Sequence, residues 1–570
     1  MHSSLFTVIL EKVYEKFIIY RGTGKMKDFI PQFFLSMKHY TREQFVKDVV
    51  SGIIVAIIAL PLSIALALAS GVTPEQGLYT AIVAGFVISF LGGSKVQIAG
   101  PTAAFASIVA GIVLKNGLDG LAAATVMAGI LLVIMGFLRL GSLIRFIPYT
   151  ITTGFTAGIA VTIFIGQIKD FLGLTFEKAP VETMEKLEQV VRTIGTFNPM
   201  ALVIGMIALA VLIIWPRYFK KVPPSLIAVI LTAALVKVLD LPVHTIGDLY
   251  TISPSLPALH IPKLSFAMMG KVMPDAVTIA VLAAIESLLS CVVADGMIGS
   301  RHNSNMELIA QGVGNTFSAL FGGIPATGAI ARTAANVKNG GRTPVAGMVH
   351  AVLLLLILVF LMPYAALIPM PTIAAILFIV AYNMSEWREF VSIVKTSPKS
   401  DWSVLVVTFA LTVVFDLVMA IGVGLVIASL LFMKRMADVA EVNGWRYLDD
   451  EEDTDGDHID LKPVPGHVAV FEINGPMFFG AADKISKVVL EDGKRVLILR
   501  MRSVPAMDTT ALKSLKKLYN GLKRKNITLV LSHVNEQPMS MMERAGFVDD
   551  MGRENIAGCI DDALMRASVL

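Results

Sequence analysis

Two charged residues stand where charge is costly. Arg332 lies in FGGIPATGAIARTAANV (Phe321–Val337), a run of small residues with one proline and no other charge. Glu286 lies near the centre of DAVTIAVLAAIESLLSCVVAD, whose ends are Asp275 and Asp295. A charge inside a membrane faces a cavity or a partner. A guanidinium presents N–H donors in a planar fork that matches carboxylates and similar oxyanions. A carboxylate in apolar surroundings is protonated, paired or bound to a cation. Glu286 therefore has three readings: it carries a coupling proton, it holds sodium with Ser290 nearby, or it balances Arg332. Asp416, in VVFDLVM, reads as a further buried acid with a structural role.

The surroundings of Arg332 occur twice. FLGGSKVQIAGPTAAFAS (Phe90–Ser107) and LFGGIPATGAIART (Leu320–Thr333) each run from apolar residues through Gly-Gly to proline, small residues and threonine. Pro101 and Thr327 lie 226 positions apart, and Pro61 and Glu286, each interrupting an apolar helix, lie 225 apart. Two halves repeating at that interval, each with an odd number of spans, are inverted relative to each other. Paired segments broken by Gly and Pro in such halves point to a transport site. A half-helix starting inside the membrane exposes unpaired amide N–H groups and a positive dipole end, which together bind anions. Helix starts near Pro101 and Thr327 would aim two such ends at one place. Thr102 and Thr327 can cap or offer hydroxyls, and Gly328 lets a ligand approach the backbone. Arg332, one turn in, leans back toward the same place. The same small residues also suit close helix packing.

The elements that must position these residues are membrane helices. The chain has 570 residues, 55% hydrophobic and 16% charged, with mean hydropathy +0.71. Soluble domains carry about 25% charged residues, and a spanning helix needs about 20 mostly apolar ones. Stretches 49–74, 76–94, 120–138, 146–168, 193–216 and 343–385 reach or approach that length, the last long enough for two spans. The fold class is a polytopic α-helical membrane protein followed by a small α/β domain. The first 48 residues carry eight Lys/Arg and five acids with no leading apolar core, so no secretory signal is expected. Cys291 and Cys559 form no metal or redox spacing. No basic surface interleaved with aromatics suggests nucleic acid.

Charge placement gives topology. With a cytoplasmic amino terminus, fourteen spans put Lys95, Arg139, Arg145, Arg217, Lys220, Lys221, Arg301, Lys338, Arg342, Arg388, Lys395 and Lys399 inside, as the positive-inside rule requires. The acidic loop Glu177–Glu188 falls outside. The expected organisation is an amino-terminal segment 1–40, a membrane domain 41–436, an acidic linker 437–464 carrying DDEEDTDGDHID (Asp449–Asp460), and a domain 465–570. In the last, HVAVFEI, RVLILRM and ITLVLSHV read as strands, and TTALKSLKKLYNGLKRK and QPMSMMERAGF as helices. The linker reads as a flexible tether or as a regulatory or calcium-binding segment.

The motifs LPLSIALALASGVTPEQGLYTA (Leu60–Ala81), GPTAA, AIESLL, HNSNMELIAQGVGN (His302–Asn315) and IARTAANV, taken in order, resemble the SulP or solute carrier family 26 anion transporters. The carboxyl-terminal part resembles their STAS domain. The resemblance covers nearly the whole chain from about residue 40. It implies a seven-plus-seven inverted repeat of fourteen transmembrane segments, a gate part and a moving core part, a homodimer, and a substrate between the starts of helices 3 and 10. Carried over by motif, the binding residues are Pro101, Thr102, Ala103, Thr327, Gly328, Ala329 and Arg332, with Glu286 as the helix-8 acid. Phe105 and Phe155 either wall the pocket or pack the core. Sodium-dependent bicarbonate members lack the arginine found here at 332, which argues for a proton over sodium. One departure is Leu62, followed by Ser63, where relatives place a polar Gln or Glu. In VPAMDTTAL, Thr509 matches the phosphosite of related STAS domains, and Asp508 with the threonines also reads as a helix cap.

The expected function is secondary active transport of sulfate or a related oxyanion, bicarbonate or a C4-dicarboxylate across the bacterial inner membrane, with both termini cytoplasmic. No enzyme activity and no cofactor are implied; the coupling ion is a proton, or sodium. The rivals are sodium-coupled bicarbonate transport, an anion channel or uniporter of the same fold, and a scaffold whose STAS domain recruits a soluble cytoplasmic partner.

Overall fold

The structure, a computed structural model, describes residues 29–142, 148–176, 180, 182–219, 222–250, 255–260, 265–415, 417–439, 441–444, 464–480, 484 and 493–570. The amino-terminal segment through Asp28, Arg145, Lys220, Lys221, Asp416, part of the loop Glu177–Glu188 and the acidic run Asp449–Asp460 lie outside the described residues. The chain forms two compact units, one ending at Leu425 and the other beginning at Val426.

The first unit is helical. Its helices are α1 (Arg42–Ala69), α2 (Pro74–Leu91), α3 (Ala106–Phe137), α4 (Tyr149–Leu172), α5 (Pro199–Tyr218), α6 (Pro224–Val238), α7 (Phe266–Ile298), α8 (Ser304–Leu320), α9 (Ile330–Lys338), α10 (Val345–Ala365), α11 (Met370–Ser385), α12 (Lys399–Val414) and the start of α13 (Leu417–Val439). Their starts are written locally. Thr41, Ser265 and Asn303 cap α1, α7 and α8 through side-chain oxygens, and Pro74, Pro199 and Pro224 begin helices at the first position, where a missing N–H costs nothing. Among the described residues, eight helices are long and apolar enough to cross a membrane. Helix α3 is interrupted at Gly117, where φ is 69 and ψ −174; only glycine adopts this conformation cheaply.

Burial separates the helices into two kinds. The apolar windows of α3 and α7 are 61% buried, that of α5 only 28%. The exposed side of α5 carries Val203, Met206, Ile213 and Ile214, apolar residues turned outward toward lipid. The interior kind pack through small residues. Gly129 of α3 and Gly312 of α8 each lie against the other's backbone, so a Cβ on either would come within 2.6 Å of a carbonyl oxygen. Such close approach is how membrane helices gain contact without a hydrophobic drive between them.

The second unit holds a five-stranded sheet in the order β3 (Glu441–Gly444), β4 (Val468–Asn474), β5 (Val496–Arg500), β6 (Thr528–Ser532), β7 (Ile556–Ala557). The β3–β4 pair is antiparallel and the rest parallel. Ile473, Leu497, Leu499, Leu529 and Leu531 face α14 (Thr509–Arg524), α15 (Glu536–Arg544) and α16 (Phe547–Met551). Val468, Val470, Val496, Ile498 and Val530 face α17 (Ile560–Ser568) on the other side. All five residues of β5 are buried, as a strand covered on both faces requires. The expected linker 437–464 needs correction. Helix α13 runs to Val439, and β3 lies within the supposed linker. Four residues reading Glu-Val-Asn-Gly carry no alternation; they form a strand only because β4 offers a free edge.

Candidate functional site

Inside the first unit the two repeated motifs meet as a two-residue antiparallel pairing. Strand β1 (Ala99–Gly100) lies beside β2 (Thr327–Gly328), with Ala99 opposite Gly328 and Gly100 opposite Thr327. The pairing is extended by Ala329 N, which donates to Ile98 O at 2.9 Å. Each strand leads straight into a helix start. A 3-10 turn at Ala103–Phe105 opens α3 after Thr102, and α9 opens after Ala329. Neither start is capped by a side chain, so the first amides and the dipole ends are left to a ligand.

The threonines do different work from that expected. Thr102 Oγ1 donates to Glu286 Oε2 at 2.9 Å. Thr327 Oγ1 bonds Ser287 Oγ at 2.7 Å and Ala283 O at 3.2 Å, which fastens β2 to α7. Thr327 is fully buried and its hydroxyl is committed. Ser287 also accepts from Gly328 N at 3.1 Å. Ser290 donates to Thr333 Oγ1 at 3.3 Å, and Thr333 accepts from Ile98 N at 3.0 Å. Ser290 is thus occupied in holding α9 to α7.

Gly328 is required by close approach. Gln97 donates to Ser287 O at 3.3 Å and accepts from Cys291 Sγ. Its amide nitrogen lies 1.4 Å from where a Cβ on Gly328 would be. On the opposing strand, a Cβ on Gly100 would come within 2.4 Å of Arg332 Nη1. Arg332 therefore lies across the β1 backbone. It is 1% exposed, its Nη2 donates to Pro101 O, and its Nε and Nη1 have no protein partner. Glu286 lies within electrostatic reach of Arg332, while its carboxylate accepts a hydrogen bond from Thr102. Phe105 and Phe155 are 0% and 2% exposed and sit in the main apolar cluster with Ile64, Leu66 and Ile159.

The profile of the Sulfate permease family matches residues 45–408, and that of the STAS domain residues 459–563. The chain belongs to the sulfate permease family. The chain is 40% identical to YvdB of Bacillus subtilis (strain 168), a sulfate transporter by provisional name, over 91% of this chain and 97% of that protein. It is 33% identical to the bicarbonate transporter BicA of Picosynechococcus sp., over 81% of this chain and 84% of that protein. In fold it is similar to the murine Solute Carrier 26 family member A9 anion transporter in the inward-facing state, with TM-score 0.86 at 17% identity, covering 98% of both chains. The chain is thus a multi-pass membrane transporter of the sulfate and bicarbonate anion family with a carboxyl-terminal STAS domain, and its relatives are named as transporters rather than enzymes.

Within the family's membrane region, all seven expected binding residues and Glu286 gather around the β1–β2 crossing. Sequence reasoning missed Ser287, Gln97 and Thr333, which hold that crossing together. Their signal was present: Ser287 and Cys291 are one turn apart beside Glu286, and Gln97 is a polar residue inside an apolar approach. In the STAS domain, Asp508 Oδ1 accepts from Ala511 N at 2.8 Å and caps α14, while its Oδ2 accepts from Phe479 N at 2.8 Å. Thr509 is exposed at the first position of α14 and lines an open groove of about 1210 Å³ with Arg502, Asn535 and Arg544.

Proposed function

We propose that the chain is a proton-coupled secondary transporter of an oxyanion, sulfate first, at the β1–β2 crossing. The observation that carries this reading is Arg332: a buried guanidinium with two nitrogens unpartnered, set between two uncapped helix starts. Residues Pro101, Thr102, Ala103, Gly328 and Ala329 supply backbone and small surface around the anion. Thr327 acts through Ser287 by holding the crossing.

Charge arithmetic supports the coupling. Arg332 contributes one positive charge and each helix start about half of one. An ionised Glu286 leaves a net of about one, and a protonated Glu286 about two. A divalent anion therefore binds the protonated site more tightly, and by linkage the bound anion favours the proton. Bicarbonate is the second reading, favoured by the similarity to BicA; a C4-dicarboxylate satisfies the same donors. Sodium at Glu286 and Thr102 is the alternative coupling ion.

We read the membrane region as fourteen crossings. Helix α3 counts as two about Gly117, and the shorter helices α6, α8, α9, α11 and α12 count as one each. This division gives seven before α7 and seven from it. The positive-inside rule then puts both termini in the cytoplasm of a bacterial cell, beneath the inner membrane. A homodimer, and a soluble partner at the Thr509 groove, complete the reading.

Counterflow in proteoliposomes with labelled sulfate, bicarbonate and succinate, with and without sodium and a pH gradient, tests it. One anion driven by inward acid and indifferent to sodium is the expected result. Sodium-dependent uptake would replace the proton. Flux that ignores every gradient would make the protein a uniporter or channel.

A further inference from the structure

Buried polar side chains without protein partners lie on α2, α9 and α10. His350 of α10 is 0% exposed, and neither ring nitrogen has a protein partner. Ser89 of α2 is 5% exposed, and its hydroxyl is likewise unpartnered. The two free nitrogens of Arg332 complete the set. A buried imidazole with neither nitrogen bonded is costly, and such groups are normally satisfied.

Helix geometry brings these groups together. Ser51 of α1 donates to Asn336 of α9 at 2.7 Å. The next residue, Gly52, lies against α10, where a Cβ would meet Ala346 O at 2.6 Å and Val349 at 2.9 Å. One point on α1 thus fixes both α9 and α10. Arg332 is one turn before Asn336, and His350 is one turn after Ala346. Side chains one turn apart share a helix face, so both project from the faces turned to α1. Ile98 joins the same group: it bonds Ala329 and Thr333 of α9, and its Cδ1 lies 3.4 Å from the Cβ position of Gly347. Ser89 Oγ is 2.1 Å from that position, and Gly347 is one turn before His350. Arg332 is the charged group whose field reaches His350.

We propose that His350 is the positioning residue for Arg332. Its neutral ring accepts from one free guanidinium N–H through a water shared with Ser89. This contact takes one of the free N–H groups and keeps the fork lying across Gly100, which leaves the others to the anion. The proposal rests on the reading that Arg332 binds the anion.

The test compares wild type, Arg332→Gln, His350→Leu, His350→Gln and His350→Asn as full-length protein. The readouts are counterflow KM and maximal rate for labelled sulfate and bicarbonate, with anion-dependent thermal shift as a second measure of binding. His350→Leu removes the acceptor and is expected to raise KM about tenfold, the size of a lost hydrogen bond to a charged group, with little change in maximal rate. His350→Gln or His350→Asn, which restore an acceptor at one ring-nitrogen position, is expected to recover most of it. If His350→Leu does not yield monodisperse protein, His350→Ala carries the same comparison. Unchanged KM in the Leu or Ala variant, while Arg332→Gln raises it, overturns the inference alone. Equal damage in Leu, Gln and Asn also overturns it, since volume would then be the cause. No effect of Arg332→Gln, or no anion response in wild type, removes the underlying reading and the inference with it.

Discussion

The two halves of the crossing share a backbone and divide the chemistry. On the first side, Gly100, Pro101 and Thr102 offer a carbonyl to Arg332 and a hydroxyl to Glu286. On the second, Thr327, Gly328 and Ala329 are fastened to α7 and β1, and the functional group is Arg332, two residues inside α9. Symmetry supplies two helix starts aimed at one place. Asymmetry supplies the charge and keeps its counter-charge on a third element. A perfectly symmetric site with two arginines would bind an anion without a group to carry a proton. One arginine and one acid make binding depend on protonation.

Removing the charge should break this division most severely. Arg332→Gln leaves the helix starts and deletes the guanidinium. KM for the transported anion should rise about a hundredfold, the cost of roughly 2.7 kcal/mol of charge-assisted binding. A smaller loss, with most binding kept, would transfer the work to the backbone amides.

The two glycines of the crossing sharpen the comparison, because the same added methyl meets different neighbours. Gly328→Ala drives into Gln97, which is buried and bonded to Ser287 and Cys291. Moving it gives up two buried hydrogen bonds, a cost of about 2–3 kcal/mol. The expected result is a marked fall in thermal stability, partly relieved by Gln97→Ala in the same chain. Gly100→Ala meets the buried end of Arg332, and Gly100 has φ +157, which alanine adopts only with strain. Its expected effect is a raised KM together with a loss of stability that Gln97→Ala does not relieve. If the two variants behave alike, the division between the halves is not real.

Glu286→Gln addresses the third element. The neutral amide mimics the protonated acid and still accepts from Thr102. Uptake driven by a pH gradient should disappear, while counterflow at equal pH persists. The sign follows from the charge count: wild type binds the anion better as pH falls and Glu286 takes up its proton, whereas the amide holds the site in that state at every pH. Retained gradient drive would remove Glu286 from the coupling role.

Much of this was legible in the sequence, and the limits are physical. Long apolar runs announced the membrane helices, and Arg332 and Glu286 stood out because charge is rare there. Strand β5 and helix α14 were plain from their periods. The pairing of β1 with β2 was hidden because register is decided by backbone bonds, not by similarity. The roles of Ser287, Gln97 and Thr333 were hidden because each is an ordinary polar residue until α7 is laid against the crossing. His350 was missed for the same reason: it sits in α10, and only Gly52 of α1 brings that helix level with Arg332. Strand β3 was hidden by its brevity.

The two threonines give the finest distinction. Thr102 and Thr327 occur in similar small-residue motifs, but one faces the acid and the other a serine. Thr327→Val removes buried bonds to Ser287 and Ala283, leaving Ser287 with the Gly328 amide. The cost should be about 1 kcal/mol of stability, read as a modest drop in the unfolding temperature. The pH dependence of uptake should not move, because Glu286 is untouched. Thr102→Val should reverse the pattern. The methyl fits a half-buried place with little effect on stability, and the carboxylate loses its Thr102 donor. The pH profile of gradient-driven uptake should shift while the unfolding temperature holds. A Thr327→Val variant that shifted the profile would mean that the fastening of β2 to α7 itself changes with protonation, and that the structural half of the crossing takes part in the coupling.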